Sequence, residues 1–418
     1  MSLVALLGFG TVVLVAMLVL HGYLWWRLVR CTTRPGPARR GMTALAGVLA
    51  LLPALAIGLR GTLPRHAAGP LDWVAYSWLG IAFYLFLTLL VLEPVRLIAR
   101  LVMLSGARRV PRRHDDPAQR SGGTAADGGA VREDRNVMAR RLFLARGVAL
   151  TAGAVALGTA GTGAYIANSP PVVRRVPITL PTLDPALDGL RIVTFSDAHL
   201  SATYGGRRFE RLVEIVNAQR PDVVAIVGDL VDGSVEELRQ DVAPLADLVT
   251  EQGVYFVTGN HEYFVDTRAW LRHLPTLGVQ VLHNERVPIR RGTASFDLAG
   301  IDDRTAAGSG IPGQGADLDA ALDGRDDSTP VVLLAHQPVM VEQARAAGVD
   351  LQLSGHTHGG QLWPFDYVIR LDQPAVEGWS RHGETQLYVT AGAGYWGPPM
   401  RVGATPEVTV VELRAARR

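Results

Sequence analysis

Lysine is absent from this chain: all 41 of its basic residues are arginines. So uniform a choice reflects a bias toward arginine codons and carries no nucleic-acid signal. Cysteine is nearly absent too. With Cys31 alone, no disulfide can close within the chain, and cysteine usage says nothing about compartment. Acidic residues are scarce up to Asn168, 7 against 19 arginines, and plentiful beyond it, 32 against 22. The net charge of +2 therefore joins a basic first part to an acidic second part. An acidic C-terminal part excludes a broad basic surface there, so nucleic acid is not an expected partner.

Long apolar runs fill the first part. Residues 3–26, 41–59 and 73–92 each approach or exceed the length of about 20 residues that crosses a bilayer. A fourth run, 147–167, is weaker because Ala, Gly and Thr dominate it. Pro53 inside the second run is tolerable in a membrane helix. Trp73, Tyr76 and Trp78 suit an interfacial belt, and His21 is the one ionisable side chain expected inside the spans. Arginines cluster at 27–40, between the first two runs, and at 96–113, after the third. By the positive-inside rule both loops are cytoplasmic, which places everything after the fourth span outside the cytoplasm. Arg140-Arg141-Leu142-Phe143-Leu144 resembles a twin-arginine export signal, without its usual Ser and Lys, and makes the twin-arginine machinery an expected partner. The expected organisation is three transmembrane helices in 1–105, a disordered Arg-rich cytoplasmic loop in 106–139, the signal and a fourth, uncleaved span in 140–167, and a soluble domain in 168–418. The chain is expected in the cell membrane, multi-pass, with the soluble domain extracytoplasmic.

From Arg191 onward, short apolar runs alternate with stretches of helical spacing, which predicts an α/β domain with a largely parallel, buried sheet. Strands are predicted at 191–195, 222–227, 253–257, 330–335 and 349–353, and helices at 207–219, 235–250, 267–274 and 339–347. Further strands near 296–300, 386–390 and 407–412 lack intervening helices and suggest a second, more antiparallel sheet. Each early strand ends in a polar cluster: Asp197-Ala198-His199, Gly228-Asp229, Gly259-Asn260-His261-Glu262, His336, and Gly355-His356-Thr357-His358. Open α/β sheets bind ligands at the carboxyl ends of their strands, so these clusters are expected to converge.

Imidazoles and carboxylates together suit Mn, Fe or Zn, and the number of ligands fits two divalent ions better than one. A metal-bridging hydroxide is a nucleophile at neutral pH, and the glycines at 228, 259 and 355 let the chain turn sharply at the strand ends. Five motifs in this order resemble the calcineurin-like metallophosphoesterase superfamily over about 190–361. The run Ser354-Gly355-His356-Thr357-His358-Gly359-Gly360-Gln361 behind a membrane segment resembles its bacterial membrane-associated phosphodiesterase branch. The resemblance implies a four-layer αββα sandwich in which Asp197, His199 and His358 hold one ion, Asp229 bridges both, and Asn260, His336 and His356 hold the other. It implies that His261 faces the phosphate as a catalytic group beside Asp229. The expected function is a membrane-anchored dimetal phosphoesterase, a phosphodiesterase acting on a cell-envelope or lipid-linked ester by in-line attack of the bridging hydroxide. The alternatives are a non-catalytic metal-binding envelope protein and a broad phosphomonoesterase. Asp302-Asp303 and His283-Asn284 are expected to be ordinary turn residues, and Gln361, Trp363 and Tyr395-Trp396 either line the mouth or pack toward lipid.

Overall fold

A computed structural model of the chain describes residues 3–59, 62–63, 65–107 and 126–416. The chain divides into two compact units. One holds residues 3–6 and Leu59–Tyr76 with the described chain from Gly161 onward, and the other holds Leu7–Gly58 with Ser77–Ala160.

The second unit is helical. Helices α1 (Leu3–Leu24), α2 (Pro37–Gly58), α3 (Arg65–Ala107) and α4 (Ala126–Asn168) supply the four spans: Gly10–Arg30, Pro37–Gly58, Ala67–Ala99 and Met138–Asn168 are long and apolar enough to cross a membrane. Most of the loop expected at 106–139 lies outside the described residues, while α4 already begins at Ala126 and carries Arg140-Arg141 within it. The loop arginines also need correcting. A π-helical turn, Trp25–Arg30, continues α1, and Arg27 is buried there. Its Nε lies 2.7 Å from Glu93, which also accepts from Tyr23 at 2.7 Å and from Arg96 at 3.0 Å. His21 is therefore not the only ionisable group in the spans: Asp72 and Glu93 sit in α3. A paired, hydrogen-bonded cluster is the form in which such groups are tolerated at membrane depth.

The first unit is layered. One sheet has the strand order β1 (Val172–Leu180), β12 (Glu407–Ala415), β2 (Arg191–Phe195), β3 (Val223–Val227), β4 (Val254–Val257), β5 (Val279–Val281). Strands β2 to β5 run parallel, and β12 closes antiparallel onto β2. The other has the order β10 (Gly378–His382), β11 (Thr385–Val389), β9 (Leu351–Ser354), β8 (Val331–Leu334), β7 (Ala294–Gly300), β6 (Glu285–Arg291). Its middle strands are parallel and only its edges antiparallel. The second sheet is the more antiparallel of the two, as expected, with two antiparallel pairings against one, but β12 belongs to the first sheet.

The sheets share an apolar core that interleaves Ile192, Val223 and Val257 of one with Leu298, Leu334 and Leu353 of the other. On the far face of the first sheet lie α5 (Arg207–Ala218), α6 (Val235–Val242) and α7 (Thr267–His273). Residues Phe209, Leu212, Val213 and Val216 give α5 the one-sided apolar stripe that such packing requires, and Ser234 with Glu237 forms a capping box at the start of α6. Helices α8 (Leu318–Leu322) and α9 (Val341–Ala346) cover the second sheet. The result is the expected αββα sandwich. Strands covered on both faces are continuous apolar runs, as Val-Val-Ala-Ile-Val in β3 illustrates.

Trp270 on α7 is the largest fully buried side chain, and its indole N–H donates to the Gly233 carbonyl at 2.9 Å. Trp270→Ala should cost about 3–5 kcal/mol, read by pulse proteolysis in denaturant. A cost below about 1 kcal/mol would mean that α7 is not packed into this core.

Candidate metal centre

The polar clusters do converge. Asp197 and His199 follow β2, Asp229 follows β3, Asn260 and His261 follow β4, His336 follows β8, and His356 and His358 follow β9. All are buried or half-buried. Five of them, Asp197, His199, Asp229, His356 and His358, have left-handed backbone with φ between 47° and 71°. Such conformations cost about 1–3 kcal/mol each for non-glycine residues and persist where surrounding contacts enforce them. Here the chain must turn sharply so that a side chain beyond the strand points back across the sheet edge. Gly259 and Gly355 permit the crowding: a Cβ at Gly259 would run into the Asp229 carboxylate, and one at Gly355 into Ser196 and Asp197.

Two groups of ligand atoms form side by side. Asp197, His199 and His358 present one ligand atom each within 4.8 Å of one another, as do Asp229, His336 and His356. In the first group the Nε2 atoms of His199 and His358 face each other at 3.0 Å, and Asp197 Oδ1 lies 3.3 Å from His358 Nε2. In the second, His336 donates from Nδ1 to the Val227 carbonyl at 2.8 Å, so that Nε2 is left bare toward Asp229 Oδ2, 3.2 Å away. Asp229 Oδ2 is also 3.8 Å from His199 Nε2, which sets Asp229 between the groups.

The donor set fits divalent cations on grounds of satisfaction. His336 Nε2 and Asn260 Oδ1 are buried without any hydrogen-bond partner. Orphaned buried acceptors are rare and call for a bound ion or water. The charges agree. Burial pushes the Asp197 carboxyl up against the pull of His336, whereas burial of Asp229 is outweighed by His336, His261 and His199, which hold it well below its usual range. Burial, reinforced by His336, pushes His356 down to about 3, so its imidazole is neutral and available as a ligand. Burial likewise holds His358 low, with His199 and Arg401 adding to it.

Three residues of the centre carried no role in the sequence reading. Asp232 Oδ1 accepts from His261 Nδ1 at 2.7 Å and from His199 Nδ1 at 3.0 Å, turning the Nε2 of each ring away from it. Burial opposes its ionisation, but the two imidazoles hold it well below its usual range. Glu262, fully buried, accepts the backbone N–H groups of Asp229, Leu230, Val231 and Gly259. Arg401, also fully buried, donates to the carbonyls of His358, Ala391, Gly392 and Gly394, clamping the loop after β9 to the loop after β11. The spacing Gly228-Asp229-Leu230-Val231-Asp232 offered a signal for Asp232. Nothing local marks Arg401.

One expectation about neighbouring residues changes. Asp302 and Asp303 are buried rather than solvated: Asp302 pairs with His283 at 2.7 Å, and Asp303 accepts from Gln337, next to His336, at 3.0 Å. Asn284 does make turn hydrogen bonds, accepting from the backbone of Asp302 and Asp317. Gln361 donates to the Trp396 carbonyl at 2.8 Å, and the Trp396 ring stands 5.4 Å from His261.

The chain resembles known proteins over the residues that include this centre. The profile of the calcineurin-like phosphoesterase family matches residues 190–360. A "transmembrane protein with metallophosphoesterase domain" of Danio rerio is 42% identical over 261 residues, which is 61% of this chain and 60% of that protein. An uncharacterized metallophosphoesterase of Helicobacter pylori is 37% identical over 259 residues, 62% of this chain and 68% of that one. An uncharacterized metallophosphoesterase of Bacillus subtilis is 32% identical over 292 residues, 66% and 98% of the two chains.

Glu262→Gln replaces one acceptor oxygen with a donor that must face backbone N–H groups. It should cost about 1–3 kcal/mol and lower the divalent metal retained per chain, measured by plasma mass spectrometry after dialysis. Full metal retention at wild-type stability would show that the loops do not depend on this carboxylate.

Proposed function

This chain belongs to the calcineurin-like phosphoesterase family, and from that premise we propose that it is a membrane-anchored dimetal phosphodiesterase acting on a cell-envelope or lipid-linked phosphate ester. The observation that carries the reading is the pair of adjoining ligand groups, with His336 Nε2 and Asn260 Oδ1 buried and unpartnered. In this reading Asp197, His199 and His358 hold one cation, Asn260, His336 and His356 hold the other, and Asp229 is shared. Manganese, iron or zinc suits these donors. Two such ions, when bound, neutralise phosphate charge and bring a water toward ionisation at neutral pH. Hydrolysis adds the water oxygen to phosphorus, breaks one ester P–O bond, and leaves an alkoxide oxygen that needs a proton.

His261 is placed to supply that proton. Asp232 accepts from Nδ1, so Nε2 is the atom that turns to the cleft. Burial alone would favour the neutral ring, but Asp229 and Asp232 raise it to about 9, which keeps the ring charged at neutral pH. A cation on Asp229 would weaken its share. Asp232, outside the ligand set, would keep its own. Asn260 contributes a neutral oxygen, which limits negative charge around a phosphate anion. Asp229 also accepts from the backbone N–H of His261 at 2.8 Å, tying the shared ligand to the proton donor.

The arginine clusters support a cytoplasmic position for the loops after the first and third spans. They thereby support an extracytoplasmic catalytic domain that reaches its place by the twin-arginine route.

With full-length protein in detergent and added Mn, bis(p-nitrophenyl) phosphate should be hydrolysed and a chelator should stop the reaction. Asp229→Asn should abolish turnover, and His261→Ala should lower kcat by about 10²–10⁴-fold with metal content retained. Wild-type turnover by Asp229→Asn would sink the dimetal reading. For topology, Val249→Cys in a Cys31→Ser background should react with an impermeant maleimide on intact cells; protection there would place the domain in the cytoplasm.

A further inference from the structure

Beyond the metal ligands, the catalytic unit exposes apolar side chains where a soluble domain would hide them. Between β9 and β10, Trp363, Phe365, Tyr367, Val368 and Leu371 all face outward, Trp363 at 55% and Leu371 at 86% of full exposure. Contiguous exposed apolar surface of this kind marks an interaction site. The segment has a defined conformation. Tyr367 N–H bonds to the Pro364 carbonyl, Ile369 N–H to Phe365, and Gln373 N–H to Ile369, around the single helical turn α10 (Asp366–Ile369). Its ends are fixed: Trp363 N–H donates to the Val402 carbonyl at 2.8 Å, and Gln373 is buried against Gln337 and Val339. A turn whose backbone groups are bonded internally can enter an apolar medium without leaving them bare.

What lies against it can be read from its neighbours. Val402, which receives Trp363, also touches the last turns of α4. Arg401 N–H donates to the Gly163 carbonyl at 2.9 Å, and a Cβ on Gly163 would stand 2.8 Å from Val402. The end of the span Met138–Asn168 is thus seated on the strip that borders the exposed loop. The start of the span Ala67–Ala99 is seated nearby in chain terms, just after His199: Gly69 packs on the Ala202 carbonyl, and the Arg208 guanidinium lies 5.8 Å from the Trp73 ring. Both span ends therefore attach to loops that issue from the metal centre, 200–208 after His199 and 400–402 held by Arg401 to His358. Beside the centre, Phe264 and Trp396 are exposed and stand 5.2 Å and 5.4 Å from the His261 ring, and Gln361, two residues before Trp363, donates to the Trp396 carbonyl.

We propose that the loop 363–371 enters the headgroup region of the same bilayer that holds the spans, so that the metal centre opens toward the membrane surface. Its substrate is then a phosphate ester of an amphiphile whose apolar part stays in the bilayer. The choice of substrate rests on the hydrolase reading above; the docking of the loop does not. Trp and Tyr flanked by an exposed Arg370 have the composition of an interfacial belt, with apolar ring bodies and polar tips.

The test uses full-length protein with Cys31→Ser in phosphatidylcholine–phosphatidylglycerol vesicles. An environment-sensitive fluorophore is placed on Leu371→Cys, and on Val249→Cys as the control, since Val249 is exposed before the amino end of β4. The Leu371 probe should emit to the blue of the control and be quenched by nitroxide-bearing lipids. Emission equal to the control overturns the docking. A blue shift that nitroxide lipids leave unquenched also overturns it, because the loop is then covered by protein, such as a second copy of the chain. In parallel, Trp363→Ser/Phe365→Ser/Tyr367→Ser is assayed on hexadecyl p-nitrophenyl phosphate in the vesicles and on bis(p-nitrophenyl) phosphate in water. The expected result is a loss of about tenfold on the vesicle substrate and less than about twofold on the soluble one. Equal loss on both, or none on the vesicle substrate, overturns the amphiphile as substrate. If the parent protein cleaves neither substrate, the hydrolase reading fails while the quenching result still decides the docking.

Discussion

One buried carboxylate sets the geometry on which the rest of the site depends. Glu262 accepts the N–H of Gly259 from one strand end and those of Asp229, Leu230 and Val231 from the next. It thereby fixes the distance between the loop that offers Asp229 and the loop that offers Asn260 and His261. Left-handed backbone at Asp229 would relax if these N–H groups turned elsewhere, and Asp229 could not then lie between the two groups of imidazoles. Four hydrogen bonds on a fully buried group also explain why it can stand so close to Asp229. Burial, with the charge of Asp229 added, raises its carboxyl to about 7, and the N–H groups work against that rise. Second-layer contacts of this kind hold ligands in place before any ion arrives.

The other side of the centre is held by a cation. Arg401 donates to four carbonyls and, among the described residues, forms no ion pair with a carboxylate, so its charge is set against the dipoles of two loop ends. Burial lowers it to about 10, still charged at neutral pH. Glu262 gathers N–H groups and Arg401 gathers C=O groups. Between them they satisfy the backbone polar groups that sharp turns at the ends of the strands leave unpaired, which buried loops cannot leave to water.

Much of this was legible in the sequence for a physical reason. Strands buried on both faces must be apolar throughout, so β3 and β8 announce themselves, and polar clusters directly after such runs have nowhere to lie but the crevice. The candidate ligand positions were therefore readable one by one. Edge strands were not: β1 carries Arg174, Arg175 and Pro177 and is defined by pairing with β12 at the other end of the chain. Strand β10 alternates half-buried and exposed residues and has no apolar run at all. Arg401 acts through contacts between segments distant in sequence, which no local pattern encodes, and Asp232 had only its spacing from Asp229 to mark it. The ion pair of Arg27 with Glu93 was missed in the same way, since an arginine after an apolar run reads as a loop residue until its partner on another helix is known.

The seating of two span ends on loops 200–208 and 400–402 gives the anchor a second consequence. A tether through a flexible linker would let the catalytic unit sample many orientations, and each productive encounter would pay for lost rotational freedom. Here Gly163 has no room for a side chain against Val402, and Arg401, one residue away, grips the loop of His358. The loop of His358 is thus held, through Arg401, against the C-terminal end of α4. On the proposal above, a substrate confined to the bilayer would meet the site at high effective concentration. Few specific contacts beyond the phosphate are needed for such an encounter to be productive. The exposed rings of Phe264 and Trp396, 5.2 Å and 5.4 Å from the His261 ring, would suit that economy of recognition.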